Sequence, residues 1–568
     1  MGIVVRVTNI TLRKQIDRNN TSNLAMKNRI TIKSIFSPSL FLIFLLTIFV
    51  VPALEAQEDV QQNQLKFGRL LRLVDGYYVD SANVNDLTEK AIVHLLSELD
   101  PHSVYMSKDE VEKMNEPLVG NFEGIGITFN IFKDTLLVTT TVAGGPSEKV
   151  GLRAGDRIVV VDNKNIAGIG LKNSDVFDML RGDKGTQVDL KVFRKNEPEL
   201  LDFSIIRDKI PINSLDASYM INETTGYIKL NKFSATTTEE FVTAMKELKK
   251  QKVQNLILDL RGNGGGYLKS AVEISEQFLN NEDLVVYTSG RNEPRKDYKA
   301  SANGEFKKGN LVVLVDEGSA SASEIVAGAI QDWDRGVIIG RRTFGKGLVQ
   351  KPFYLTDGSM VRLTTAHYYT PSGRCIQKPY DEGVDAYKKD YQNRLTNGEM
   401  FNADSIHFAD SLKYETLVNG RAVFGGGGVM PDIFIPLDTS VHYAYINRLR
   451  RNNIIYNFAL DYIDKNRENI KAKYPVFKDF EAKFVVTDDL IAQITENGEK
   501  DSIEINAESL EFSRNDMKKE VKSLIARDLY SRDDFYKIYY IDDEAIIQAL
   551  KVIENQKDYN KLLVSQQK

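Results

Sequence analysis

The spacing of apolar residues divides the chain into successive stretches of different period. From about Asp59 to Pro117, LLRLVDGYYV and LTEKAIVHLLSELD place apolar residues three and four apart, the period of amphipathic helices. This stretch closes on LDPHSVYMSKDE, where Asp100-Pro101 breaks a helix and Ser107 with Asp109 and Glu110 starts another. From about Gly120 to Arg207 the pattern becomes one of short strands, GIGITFNIF, LLVTTTV, RIVVVDNKNI and VDLKVFR, with glycine turns and a single helix at Ser174–Leu180. From about Pro211 to Leu437 strands and helices alternate. GYIKLNKF precedes TEEFVTAMKELKK, NLILDL precedes a helix near Leu268, and LVVLVD precedes a helix from about Ala320 to Asp332, followed by the strand GVIIG. That alternation predicts an α/β core with a largely parallel, helix-covered sheet. A polar stretch at 377–420 reads as an insertion, and after Asp438 the chain is charged and helix-periodic again.

Ahead of these stretches, Leu40–Val51 is an unbroken apolar run, LFLIFLLTIFVV. It is shorter than the roughly 20 residues of a membrane span and matches the apolar region of a signal peptide. Lys27, Arg29 and Lys33 supply the positive flank, and Ala53 or Ala56 ends a cleavage site. Met26 stands where translation would start for such a signal. Residues 1–56 are therefore expected to be a leader and signal peptide, and the body to be exported to the periplasm or cell envelope. An uncleaved inner-membrane anchor is the alternative. No cysteine follows the apolar run to take a lipid.

Composition narrows the chemistry. The 568 residues suit three to five folding units. With 42% hydrophobic and 27% charged residues the balance is that of a globular protein. A net charge of −5 offers no basic face for nucleic acid. One cysteine, Cys375, excludes an intramolecular disulfide and a thiolate cluster, and the five histidines show no metal-binding spacing. No metal or cofactor is expected.

Three motifs carry candidate chemistry. Gly340 to Lys346 fits the first seven positions of a phosphate-binding P-loop, but Gly347 stands where Ser or Thr would hold magnesium, and a strand-like run follows in place of a helix. Asp259-Leu-Arg-Gly-Asn-Gly-Gly-Gly266 follows a buried strand and lets backbone amides approach a ligand closely, an oxyanion among the candidates. Ser319-Ala-Ser321-Ala-Ser323-Glu324 sits at a strand-to-helix turn, where small neighbours expose a hydroxyl and the helix N-terminus favours an oxyanion. Ordinary N-capping by serine is the competing reading. No histidine has a nucleophile-elbow context. Lys346 lies between Gly345 and Gly347 in an apolar setting; burial there lowers a lysine pKa and leaves a neutral amine able to take a serine proton. A solvated strand-end lysine is the competing reading.

Together these residues resemble the C-terminal processing peptidases, or tail-specific proteases, of the S41 family. The run SASASEIVAGAIQDWDRGVIIGRRTFGKGLVQ carries most of the likeness. LDPHSVYM, FEGIGI, GGPSEKVGLRAGDRIVVVD, DLRGNGGGYL, YYTPSGRCIQ and GVMPDI support it in family order from about residue 98 to 436. The resemblance implies a Ser–Lys serine endopeptidase. Ser321 would be the nucleophile, Lys346 the general base, and Gln350 the residue orienting the lysine. The Ala322 amide with that of Gly265 or Gly266 would form the oxyanion hole, and Glu324 and Asp332 would be supporting residues, simple helix capping or solvation being the competing reading. It also implies a crotonase-like α/β protease core with an inserted PDZ domain and flanking helical regions: helices at 57–119, PDZ at 120–208, peptidase at 209–438 and helices at 439–568. In the PDZ domain Gly124, Ile125, Gly126 and Ile127 match the carboxylate-binding loop. Arg181 matches an arginine that couples peptide docking to the active site, or else is a solvated surface residue. The partners implied are protein substrates with exposed apolar C-termini; a homo-oligomer and an adaptor lipoprotein stay open, as does the role of the tail. Two other functions compete, a PDZ adaptor that no longer cleaves and a Ser–His–Asp hydrolase using His367.

Overall fold

The computed structural model describes residues 59–195, 197–438 and 443–564; the expected leader, signal peptide and Met26 start lie outside them. The described residues divide between two compact units, the first ending at Thr88 and the second beginning at Glu89. In the first, 59–77 is helical. No described helix is long and apolar enough to cross a membrane. Every strand among the described residues belongs to the second unit.

The strand-rich stretch folds into an antiparallel sheet in the order Ile127–Ile131, Leu136–Thr141, Arg157–Val161, Gln187–Phe193, Leu201–Ile206. Gln187–Phe193 alternates exposed and buried positions along its length, as a strand with one face on a core must. Leu136, Val138, Ile158, Val188, Val192 and Ile205 fill that core, which also takes Val176 and Leu180 of the helix Asn173–Leu180. Ile127–Ile131 is an edge strand. Asn121–Gly124 pairs antiparallel with Asp208–Pro211, so the module enters and leaves on one two-stranded stem.

The alternating stretch forms a six-stranded sheet in the order Leu215–Met220, Thr225–Leu230, Asn255–Asp259, Leu311–Val315, Val337–Gly340, Ile433–Phe434. The first strand runs antiparallel to the second, and every later pair is parallel. The central strands are buried on both faces, which explains their unbroken apolar runs. Alternate residues serve opposite layers. Leu256, Leu258, Val313 and Val315 join a core with the helices Thr237–Lys250, Leu268–Ser275 and Ala322–Asp332. Ile257, Val312 and Leu314 join another with Ala545, Ile546, Ala549, Val552 and Ile553. The last five belong to the helix Glu544–Glu554 near the end of the chain. The tail, which carried no motif, thus covers the second face of the six-stranded sheet.

A second sheet packs Val104–Met106, Met360–Tyr369, Leu284–Gly290 and Glu293–Lys299 in that order, with Leu348–Tyr354 also paired to Met360–Tyr369. Residues 104–106, which the apolar period grouped with the N-terminal helices, therefore contribute a strand to this second sheet. The rest of the tail, Ala444–Tyr539, is a helical layer with its own core around Tyr445, Phe480, Met517 and Ile525. It grips the strand-rich module through Asp464 on Arg157 at 3.0 Å and Asp461 on Lys133 at 3.1 Å.

Candidate active site

Ser321 sits at the turn between the strand Leu311–Val315 and the helix Ala322–Asp332. Its φ of 55° and ψ of −109° are a strained conformation for a residue with a side chain. The turn is held from several sides. Glu324 accepts the Ser321 N–H at 2.8 Å, and the Tyr368 hydroxyl donates to the Ser321 carbonyl at 3.0 Å. Gly265 lies directly beneath: a Cβ there would fall 2.7 Å from the Ala320 oxygen and 2.9 Å from the Ala322 nitrogen, and its φ of +99° suits glycine alone.

Glu324 joins the two predicted catalytic segments. It is fully buried, and its carboxylate faces four donors: the Thr343 hydroxyl at 2.5 Å and the N–H groups of Ser321, Gly345 and Lys346. One oxygen, Oε2, accepts from both Ser321 at 2.8 Å and Lys346 at 2.9 Å. Burial raises its pKa while the four donors oppose the rise. The three N–H groups have no other acceptor among the described residues, so the carboxylate satisfies all of them at once. Of the readings left open for Glu324, solvation fails because the side chain is buried, and the helix-capping contact is present, made to the Ser321 N–H along with the bonds to the lysine loop. Asp332 lies at the other end of the helix, buried against Arg374 at 2.8 Å and accepting the Ser372 N–H.

Lys346 is largely buried, and desolvation, helped by Arg362, pushes its pKa down to about 8. Its Nζ donates to Gln350 Oε1 at 3.1 Å, and Gln350 Nε2 donates to the His102 carbonyl. Among the described residues no hydrogen bond joins the Lys346 amine to the Ser321 hydroxyl; the pair is open. The glycine-rich loop supplies amides nearby. Gly265 N–H is committed to Asn263 Oδ1 at 2.9 Å. The N–H groups of Gly266 and Ala322 have no partner among the described residues.

Three comparisons bear on this arrangement. A model of peptidase family S41 matches residues 224–386 and a PDZ model matches 137–194. Over 371 residues the chain is 33% identical to the carboxy-terminal processing protease CtpB of Bacillus subtilis, covering 64% of this chain and 75% of that protein. The chain belongs to the S41 carboxy-terminal processing proteases. It is also 35% identical over 343 residues to the carboxy-terminal-processing protease of Bartonella bacilliformis, covering 59% and 78% of the two chains. The solved photosystem II D1 C-terminal processing protease is 32% identical and covers 55% of this chain and 90% of its own, with a TM-score of 0.32. Residues 445–533 match a family of unknown function. The protein is accordingly a serine-type peptidase with a PDZ domain.

Several residues around the site of this S41 protease escaped the sequence reading. Asn263 is fully buried. It donates to the Leu230 carbonyl and caps Gly265, while its own carbonyl accepts the Ala320 N–H and the Ser323 hydroxyl, so it pins the glycine loop to the serine turn. Asp100 accepts from the N–H groups of His102 and Ser103 and from the hydroxyls of Ser103 and Thr364, which fixes the carbonyl that holds Gln350. Arg261 pairs with Asp259 at 2.7 Å and with Asp543 of the tail at 2.9 Å. Asn263 lies inside DLRGNGGGYL and Asp100 inside LDPHSVYM, but a motif read for its glycines or its helix break hides the polar side chain that locks it.

In the PDZ domain the N–H groups of Ile125 and Gly126 have no partner among the described residues, and Ile127 opens the edge strand. The loop from Gly124 is held by the Ser147 N–H and hydroxyl, both on the Ile125 carbonyl. Phe177 of the helix meets Phe129 of the edge strand edge-on at 5.6 Å. Arg181 stacks on Phe122 and Phe177 and pairs with Glu116 at 2.5 Å, both side chains about a third exposed. His367 has a different neighbourhood. Its Nδ1 lies 4.0 Å from Cys375 Sγ, and no carboxylate holds its ring among the described residues, so a Ser–His–Asp arrangement lacks its third member.

Proposed function

We propose that this S41 protease is an exported Ser–Lys endopeptidase that takes substrates by their C-termini through the PDZ domain. The observation that carries the reading is the shared Glu324 oxygen, which holds the backbones of Ser321 and Lys346 two hydrogen bonds apart. In the proposed mechanism the neutral Lys346 amine leaves Gln350 and takes the Ser321 proton as the hydroxyl attacks the scissile carbonyl. The free amides of Ala322 and Gly266 receive the oxyanion; Gly265, the other candidate, already donates to Asn263. The amine returns the proton to the leaving peptide nitrogen, and water releases the acyl-enzyme. The parallel sheet with its serine helix supports a crotonase-like description of the core. Ile125, Gly126 and Ile127 present amides to a terminal carboxylate, and the edge strand Ile127–Ile131 accepts the peptide as an added strand. Export rests on the apolar run and its basic flank, and places the enzyme in the periplasm or cell envelope.

The test compares the full chain with Ser321→Ala and Lys346→Ala on an unfolded protein ending in an apolar residue, and on the same protein with an amidated C-terminus. Cleavage abolished by either substitution and slowed by amidation is expected. Cleavage that survives Lys346→Ala but is lost in His367→Ala would overturn the dyad, and binding without cleavage by the unsubstituted chain would make it an adaptor. Fractionation of cells, with N-terminal sequencing of the mature chain, checks export; a cytoplasmic chain with an intact N-terminus refutes it.

A further inference from the structure

The polar stretch at 377–420 carried no motif beyond Gln377, which closes YYTPSGRCIQ, yet its first half wraps the loop bearing Lys346. Gln377 Oε1 accepts the Gly347 N–H at 2.8 Å, and the Lys378 N–H donates to the Gly345 carbonyl at 2.9 Å. The approach is so close that a Cβ on Gly347 would fall 2.8 Å from the Gln377 nitrogen. Arg394, 3% exposed, donates to the carbonyls of Arg342, Thr343 and Phe344. Between these clamps the buried side chain of Tyr387 points at His102. Its hydroxyl lies 2.8 Å from His102 Nε2, and the rings meet edge-on at 5.2 Å. Phe344 closes the group, 6.4 Å from His102 and 6.1 Å from Tyr387. The S41 family match ends at residue 386, so Tyr387, Asp390 and Arg394 lie beyond it.

We propose that Tyr387 is a positioning residue for the Lys346 amine: its hydroxyl and ring fix His102, the His102 carbonyl fixes Gln350, and Gln350 holds Lys346. The inference rests on the Ser–Lys reading. Every link is a contact of the fold. Tyr387 binds the His102 ring, the His102 carbonyl accepts from Gln350, and Gln350 accepts from Lys346. Burial, with Lys346 beside it, pushes the His102 pKa down to about 4, so the imidazole is an uncharged wall of the pocket at any working pH. The charges facing Lys346 are Arg362 from the second sheet, Glu324 from the serine helix and Asp100 from the turn before His102. Behind Tyr387 stands Lys378, 4.1 Å from the ring centroids of both Tyr387 and Phe344 and paired with Asp390 at 2.9 Å. Removing the tyrosine ring therefore does two things: it lets water reach the pocket, and it uncovers the positive Lys378. Water restores solvation to the lysine ammonium and raises the pH at which the amine becomes free. A second cation acts the other way, but Asp390 already neutralises it.

The experiment is the pH dependence of kcat/KM for Tyr387→Phe and Tyr387→Ala in the full chain, on a fluorescently labelled unfolded protein with an apolar C-terminus, with thermal unfolding in parallel. Tyr387→Ala is expected to move the midpoint about one pH unit alkaline, which is about a tenfold loss of rate at neutral pH, with KM within about twofold. Tyr387→Phe keeps the ring and loses the hydroxyl. It is expected to lower kcat several-fold, with a smaller alkaline displacement, and it carries the test if the alanine variant does not fold. A purely structural tyrosine would lower the melting temperature and the rate while leaving the midpoint in place; that result overturns the proposal, as does parental behaviour of the phenylalanine variant. Lys346→Ala run alongside separates the two levels. If it stays active, the Ser–Lys reading fails. If it is dead while both Tyr387 variants keep the parental midpoint, only the positioning role falls.

Discussion

Burying an ammonium costs stability, and the cost at Lys346 is measurable by removing the charge. Lys346→Met keeps the length and the apolar stem. A lysine lowered from 10.5 to about 8 carries a penalty of about 3 kcal/mol on its charged form, at about 1.4 kcal/mol per pH unit. In the unfolded chain the lysine keeps its proton up to about pH 10.4. In the folded chain it gives the proton up above about 8. The folded state thus binds fewer protons between these values, and stability rises with pH across that window. Below about pH 8 both states are charged and the whole penalty is present; above about 10.4 both are neutral and it is gone. Methionine removes the penalty but forfeits the hydrogen bond to Gln350, worth about 1 kcal/mol. The variant is expected to be more stable by roughly 2 kcal/mol at pH 7, or roughly 4 °C in the unfolding transition of a peptidase-sized unit, and slightly less stable than its parent near pH 10.5. Both chains should carry Ser321→Ala so that self-cleavage does not distort the melts, which are read by differential scanning fluorimetry at the two pH values. A destabilised variant at pH 7, or a gain equal at both pH values, would refute a desolvated Lys346.

Glu324→Gln replaces one acceptor oxygen by an amide nitrogen facing N–H and O–H donors. It is expected to cost about 3 kcal/mol in a melt and about a hundredfold or more in kcat, because the serine turn and the lysine loop lose their common anchor. Gly265→Ala forces a Cβ against the Ala320 oxygen and the Ala322 nitrogen, so hydrolysis should fall by about a hundredfold or more while peptide binding to the PDZ domain, read by fluorescence anisotropy, stays unchanged. Asp543→Ala leaves the Arg261 guanidinium half-paired beneath the glycine loop; a loss of about 3 kcal/mol in stability with a fall in kcat is expected, and an unaffected kcat would show that the tail supports only the sheet.

The central sheet was legible because its strands are buried on both faces and read as unbroken apolar runs such as LVVLVD, and the serine turn was legible because small residues joined that run to a helix. The tail was harder. Ala545, Ile546, Ala549, Val552 and Ile553 announce an amphipathic helix, but periodicity says only that one face is covered, not by what; the covering surface is Ile257, Val312 and Leu314, far earlier in the chain. The insertion was hidden for a related reason. Its polar residues look solvated in sequence, whereas Lys378 and Arg394 are buried because carbonyls and Asp390 compensate them. The choice between Gly265 and Gly266 as amide donor depends on where the Asn263 side chain turns, and no spacing rule contains that rotamer.

These contacts leave the open pair few degrees of freedom. Ser321 is fixed at its nitrogen by Glu324, at its carbonyl by Tyr368 and from beneath by Gly265, and Lys346 is fixed at its nitrogen by the same Glu324 oxygen. The two side chains are left to move, the lysine amine tied to Gln350 through one 3.1 Å hydrogen bond. Exchanging that bond for one to the Ser321 hydroxyl trades like for like, at a net cost of about 1 kcal/mol or less. Closing the pair therefore asks for a rotamer change, which takes picoseconds to nanoseconds at exposed positions and longer inside a packed pocket. Backbone rearrangement would have to break the Glu324 carboxylate away from several donors at once. On the proposed Ser–Lys reading, the ease of closing the pair depends on how firmly Gln350 is held, and so on the His102 carbonyl and the Asp100 carboxylate that fixes it. The N-terminal turn LDPHS, outside both the serine and the lysine motifs, thus reaches the Lys346 amine through Gln350.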